Sequence, residues 1–266
     1  MIHKIVSALH STKSSTTPGR DQERGVSPSG QSKRSTHPAL NYDEEDSARE
    51  AIALVESHTM LSYQRLVTLW QQVRYLDRAG VQGSLVECGT WKGGAAAMMA
   101  LAHRESGEPH RHLHLFDSFE GLPEPDRAHD GDMAAQYAGA RASGTLRSIG
   151  KCVGTLDDNR QAVNAIAGYP SALTHFHIGW FQDTLPTLSV PLGDIALLRI
   201  DGDWYESTKI CLDVLFPKVV SGGIVVIDDY GKWSGCRKAV DEFLATLHRP
   251  LLLNHIDAAG RYLIVP

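Results

Sequence analysis

Ser84-Leu-Val-Glu-Cys88 is followed by Gly89-Thr-Trp-Lys-Gly-Gly94 and then by the Ala/Met-rich run Ala95 to His103. A short apolar run, a turn of small residues and a stretch of helix formers read as strand, loop and helix. A strand that enters a helix through a Gly-rich turn opens a βαβ unit. The same alternation repeats downstream. His112 to Asp117 reads as a second strand and Asn159 to Ala167 as a helix. Leu173 to Ile178 and the near-continuous apolar run Asp194 to Asp201 give strands three and four. Ser207 to Phe216 is a helix, Gly223 to Asp229 a fifth strand, and Cys236 to Leu247 a helix. Leu251 to His255 and Gly260 to Val265 read as a hairpin-like pair joined through Asp257-Ala-Ala-Gly260. Strands separated by helices imply parallel pairing with right-handed crossovers. The expected fold is therefore α/β, a mostly parallel sheet with a final antiparallel strand.

Upstream, Ala48 to Val55 is rich in helix formers. Leu61, Leu66, Leu69, Val73 and Leu76 recur at helical spacing until Gly80 and Gly83. Residues 47–83 thus form a helical N-terminal extension, and 84–266 form the α/β domain. Residues 1–46 read as a disordered Ser/Thr-rich tail. From Ser11 to Pro38 large apolar residues are nearly absent, too few to offset the ordering entropy.

The chain has 266 residues, 42% of them hydrophobic, and a net charge of -5. That charge argues against nucleic acid as a main partner. No run approaches a membrane span, and the N-terminal apolar stretch is too short for a signal segment, so no membrane partner is expected. The four cysteines form no CxxC pair and read as buried free thiols, as expected of a cytoplasmic protein. The 13 histidines look scattered, without metal spacing.

Five stretches carry chemistry. The Gly89–Gly94 loop is not GxGxxG, which weakens a dinucleotide reading. Glu87 ahead of it would repel a pyrophosphate but attract an ammonium; a tight βα turn explains the loop equally well. Asp117, closing strand two, is placed to accept ribose hydroxyls, or to cap a helix. Trp180 and Phe181, after strand three, could flank a base or belong to the core. Asp201 and Asp203 end strand four, and Asp228 and Asp229 end strand five. Carboxylates gathered at one sheet edge repel unless a cation or protons intervene, and oxygen ligands favour a hard ion such as Mg²⁺.

These motifs resemble the macrocin O-methyltransferase family, deoxysugar methyltransferases of macrolide and related antibiotic pathways. The likeness rests on Val86-Glu-Cys-Gly-Thr-Trp-Lys-Gly-Gly94, Phe116-Asp-Ser-Phe-Glu-Gly-Leu-Pro123, Gly179-Trp-Phe-Gln-Asp-Thr-Leu-Pro186, Asp201-Gly-Asp-Trp-Tyr-Glu-Ser-Thr208, and Ile227-Asp-Asp-Tyr230 with Cys236-Arg-Lys-Ala-Val240. His58-Thr-Met60 adds to it. The resemblance implies a Rossmann-like class I methyltransferase fold and methyl transfer from S-adenosylmethionine to a hydroxyl of a sugar or similar vicinal diol. It implies cofactor contacts at Thr59, Glu87, Gly89, Trp91, Gly93, Asp117, Ser118, Gly179, Trp180 and Phe181. It places a divalent metal on Asp201, Asp228 and Asp229. Asp201 also becomes the candidate proton acceptor, with His129 or water as substitutes. A glycosylated small-molecule acceptor and a homo-oligomer are further expectations. A catechol-type methyltransferase, an NAD-dependent oxidoreductase and an inactive binding protein stay open as rivals. The segment Arg127 to Gly150 matches no pattern, which leaves the acceptor unassigned.

Overall fold

The computed structural model describes residues 37–188 and 192–266. The tail expected over residues 1–36 lies outside the described residues. Helix α1 (Glu45–Val55) leads through a 3₁₀ turn to α2 (Tyr63–Arg78). The α/β alternation follows as β1 (Ser84–Cys88), α3 (Gly94–Arg104), β2 (Leu113–Asp117), α4 (Arg127–Tyr137), α5 (Leu156–Arg160), β3 (Thr174–Ile178), α6 (Phe181–Thr184), β4 (Ile195–Ile200), α7 (Tyr205–Leu215), β5 (Val219–Ile227) and α8 (Ser234–Thr246). Two short strands, β6 (Asn254–His255) and β7 (Arg261–Ile264), end the chain.

The sheet runs β3-β2-β1-β4-β5-β7-β6. The first five of these pair in parallel; β7 is antiparallel to both β5 and β6. The expected mixed α/β sheet is present, with an antiparallel pair at its end. Strand order reverses between β1 and β4. In such sheets a crevice opens at that point beyond the carboxyl ends of the strands.

One apolar layer packs β-strand residues Leu85, Leu113 and Leu115 against α1, α2 and α3. The other packs Val86, Phe116, Leu198 and Ile200 against α7 and α8. Helix α3 is apolar all round and correspondingly buried, from Ala95 to Ala100. Among the described residues, no helix is long and apolar enough to cross a membrane.

The structure departs from the sequence reading in four places. Residues 37–46, assigned to the tail, pack on the helices: Glu45 lies inside α1 and accepts the backbone N–H of Leu40 at 2.9 Å, and the His37 ring stacks on Tyr63 at 4.9 Å. The helix expected from Asn159 starts at Leu156, because Thr155 and Asp158 form a reciprocal capping box; it continues as a π-helix over Gln161–Ile166. Helix α4 was not foreseen, since Gly131 interrupts it at φ 77° and breaks its periodicity. Strand β3 is half-exposed rather than buried, because it is the sheet's terminal strand.

Candidate active site

The crevice at the β1–β4 reversal holds a cavity of about 390 Å³. Its floor is set by close approach of the two strands. Gly89 has φ 87°, and a Cβ there would sit 1.9 Å from the Asp201 carbonyl oxygen. Only glycine lets β1 and β4 meet at that separation. The loop beyond is tied to β2. The Thr90 N–H donates to Asp117 Oδ2 at 2.7 Å, and its hydroxyl reaches the same oxygen at 3.2 Å. The Phe119 N–H donates to Asp117 Oδ1 at 2.7 Å. These donors, with the Trp91 backbone N–H, hold the Asp117 carboxylate in place. Burial still pushes its carboxyl upward against those bonds.

Arg199 is the one charged residue in the otherwise apolar β4, and its side chain binds acids from three strands. It donates to Glu87 of β1, to Asp201 at 2.8 Å, and to Asp228 at 2.7 Å. Glu87 is fully buried. Burial pushes it up to about 8, against the pull of Arg199. Its Oε1 takes the Arg199 bond, while Oε2 is buried without a partner. Asp228 is claimed a second time, by Arg65 of α2, which also binds Asp257 at 2.8 Å.

The acid cluster differs in membership from the expected trio. Carboxylate oxygens of Asp201, Asp203 and Asp229 lie within 4.8 Å of one another. Asp228 stands outside this group because both of its oxygens face guanidiniums. Asp229 Oδ2 is buried with no partner. Burial pushes Asp229 well up, and Asp203, Asp201 and Asp228 add to the shift. Asp203 rises to about 8, through burial and then Asp201, although Trp233 Nε1 donates to it at 2.7 Å. Three converging carboxylates with an orphaned buried oxygen could hold a hard divalent cation.

Beside the acids, Tyr137, Cys152 and Trp233 form a wall; the Tyr137 and Trp233 ring centroids are 5.4 Å apart. Tyr137 belongs to the unforeseen α4. Asp130 locks that helix down: it accepts the Tyr205 N–H at 2.7 Å and the Asp126 N–H at 2.8 Å. A Cβ at Gly235 would lie 1.8 Å from Asp130 Oδ1, so α8 fits only with glycine there. The excursion that carries the wall closes on itself: Leu122 exchanges backbone bonds with Lys151 at 3.0 Å and Ile149 at 2.9 Å. Trp91, Cys152 and Asp203 line the cavity with left-handed backbones, at φ 47°, 52° and 55°. Held strain of this kind costs ~1–3 kcal/mol per residue and concentrates at functional sites.

The cavity brings together Thr59, Glu87, Gly89, Trp91, Asp117, Ser118, Trp180, Phe181 and the four acids. Gly93 and Gly179 do not reach it. Gly93 is glycine because a Cβ would sit 2.8 Å from Asn159 Oδ1, a packing constraint. His129 is also off the cavity: its ring packs on Tyr205 at 4.3 Å and faces Asp126 at 3.3 Å and Glu206 at 3.7 Å. Sequence reasoning missed Arg199, Arg65, Tyr137 and Trp233. Of these only Arg199, a lone charge inside an apolar run, left a local signal.

The sequence pattern of the macrocin-O-methyltransferase (TylF) family matches residues 28–264. The demethyldecarbamoylnovobiocin O-methyltransferase of Streptomyces niveus is 37% identical over 206 residues, covering 77% of this chain and 75% of that protein. The 8-demethyl-8-(2,3-dimethoxy-alpha-L-rhamnosyl)-tetracenomycin-C 4'-O-methyltransferase of Streptomyces olivaceus is 35% identical over 216 residues, covering 77% and 74%. The solved structure of the O-methyltransferase NovP superposes with a TM-score of 0.67 at 33% identity, covering 78% of this chain and 82% of that one. A crevice at the strand-order reversal, a Gly-gated β1 loop and an acid cluster beside it thus stand on a shared sequence and a shared fold, and this chain belongs to the macrocin-O-methyltransferase (TylF) family and is an S-adenosylmethionine-dependent O-methyltransferase.

Proposed function

We propose that this enzyme methylates a hydroxyl of a sugar carried by a small natural product, beside a divalent ion held by Asp201 and Asp229. The observation that carries the reading is the convergence of Asp201, Asp203 and Asp229 within 4.8 Å around the unpartnered Asp229 Oδ2. The names of the two relatives, one acting on a rhamnosyl-bearing tetracenomycin, support the choice of acceptor.

S-adenosylmethionine supplies an activated methyl on a sulfonium, and a divalent ion supplies positive charge that lowers the pKa of a nearby hydroxyl. The chain's own residues do the rest by positioning. Glu87 presents its free Oε2 to the methionine ammonium, and Asp117 its carboxylate to a ribose hydroxyl. Trp180 and Phe181 flank the adenine. Asp203 is better placed than Asp201 to take the proton of the acceptor hydroxyl. Asp201 Oδ2 already accepts from Arg199, while Trp233 fixes Asp203 beside the aromatic wall. The wall of Tyr137 and Trp233 offers a flat apolar surface to the C–H face of a pyranose. Asp228 balances Arg199 and Arg65. A homo-oligomer is part of the same reading.

The test is a methyl-transfer assay with a panel of rhamnosides, other glycosides and catechols, each with Mg²⁺ and after exhaustive chelation. Transfer to glycosides that disappears on chelation and returns with Mg²⁺ is expected, with S-adenosylmethionine binding intact throughout. Asp203→Asn should abolish transfer while Mg²⁺ affinity falls less than in Asp229→Asn. Full activity after chelation removes the metal, and turnover of catechols alone removes the sugar.

A further inference from the structure

The thirteen histidines do not all lie scattered. His112 and His114 are two apart at the start of β2, and His175 and His177 are two apart in β3. Residues two apart in a strand share a face. The parallel register sets His114 opposite His175 and Phe116 opposite His177, so all four imidazoles fall on one face at the sheet's outer edge. They form two nitrogen-to-nitrogen contacts: His112 Nδ1 to His175 Nε2 at 2.7 Å, and His114 Nδ1 to His177 Nε2 at 3.0 Å. The rings stack in a continuous row. His114 lies 4.6 Å from His175 and 5.3 Å from His177, and His177 lies 4.0 Å from Phe116.

We propose that the His112–His175 pair is a binding site for one borderline divalent ion, Cu²⁺, Ni²⁺ or Zn²⁺, separate from the acid cluster. Each contact now has one ring donating N–H to the other's lone pair. Moving that proton to the donor's opposite ring nitrogen, a change of tautomer, leaves two lone pairs facing each other. An ion bound at ~2.0–2.1 Å by two neighbouring imidazoles places their nitrogens ~3 Å apart, close to the spacing already built by the register. The outer pair is the one an ion can reach: His112 is exposed and His175 half-buried, whereas His114 is 1% exposed. All-imidazole donors select these ions over Mg²⁺. Water completes the coordination. An ion here ties the edge strand to its neighbour just before the chain turns into Trp180 and Phe181 of the cavity.

The test uses the full chain without an affinity tag, saturated with Mg²⁺ to fill the acid cluster. Calorimetric titration with Zn²⁺ and with Cu²⁺ should show one site per chain, and bound Cu²⁺ should give an electron paramagnetic resonance spectrum with coupling to two imidazole nitrogens. Asp229→Asn should keep the site. His175→Ala and the exposed His112→Ala should each lower affinity at least tenfold and lose the two-nitrogen pattern. Wild-type affinity in both histidine variants would overturn the proposal, because the ion would then sit on other histidines. An oxygen-only spectrum, or no binding in the wild type, would also overturn it.

Discussion

Replacing Arg199 by Met removes a buried cation shared by acids from three strands. The guanidinium is 2% exposed and bonds Glu87, Asp201 and Asp228. Methionine fills similar volume, so the loss is electrostatic rather than a cavity. Removing one partner of a buried ion pair costs about 3–5 kcal/mol when the charge left behind has neither water nor counterion; here buried Glu87 loses its ion pair, while Asp228 keeps Arg65. For a domain of this size that is a fall in Tm of about 6–20 °C. Differential scanning calorimetry of wild type, Arg199→Met, Asp228→Asn and the double variant at neutral pH measures it. The double variant should cost ~1–3 kcal/mol less than the sum of the singles, since the second change relieves the charge stranded by the first. Added Mg²⁺ should restore more Tm to Arg199→Met than to the wild type, because the cluster has lost a resident positive charge. A single-variant cost below about 1 kcal/mol, the ordinary range of a surface change, would refute the reasoning, as would an additive cycle.

Asp77 provides a pH prediction. Burial raises its carboxyl, but bonds from His103, Ser106 and Arg111 outweigh this and hold it at about 2. The unfolded chain therefore binds the proton first, so the stability from Asp77, ~1–3 kcal/mol, is present above about pH 4 and fades toward about pH 2. Melting curves of wild type and Asp77→Asn should converge over that window, and a constant gap would contradict it. Gly89→Ala drives a Cβ into the Asp201 carbonyl and should lower both Tm and cofactor affinity, read by calorimetry; an unchanged affinity would show that β1 and β4 can part freely. Deleting residues 1–41 should lower Tm more than deleting residues 1–36, because the first removes the His37 stack on Tyr63 and the Leu40 bond to Glu45; equal melting temperatures would show those contacts to be idle.

The fold was legible because its strands are buried. Apolar runs such as Ile195–Ile200 can hardly be anything but central strands, and the residues that end them, Asp201 and Asp228–Asp229, follow onto the sheet edge. What stayed hidden was settled by distant partners. Gly93 looks like a ligand-facing glycine until Asn159, from α5, is seen against it. Asp228 looks like a ligand equal to Asp229 until Arg65 arrives from α2. Tyr137 could not be placed because α4 is held by Asp130 bonding to α7, not by a periodic apolar face. The histidine row needed the β2–β3 register, which no single segment states.

The closed excursion from Leu122 to Lys151 has a consequence for how such enzymes diversify. Its two ends bond to each other, and Glu124 is pinned internally by Ser143 and Arg147. It meets the sheet domain through Asp130, seated on the Tyr205 amide and Gly235, through the Trp204 Nε1 bond to Pro123 at 3.0 Å, and through Leu122, Ala134, Ala138 and Ile149 in the apolar layer beside α7 and α8. A stretch with joined ends and this broad seat on α7 and α8 packs as one unit. Exchanging it has to keep the aspartate, the glycine and the apolar residues that fill the layer together. Laboratory chimeras cut at Leu122 and Lys151 follow this seam, and the change in acceptor range they produce measures what the stretch contributes.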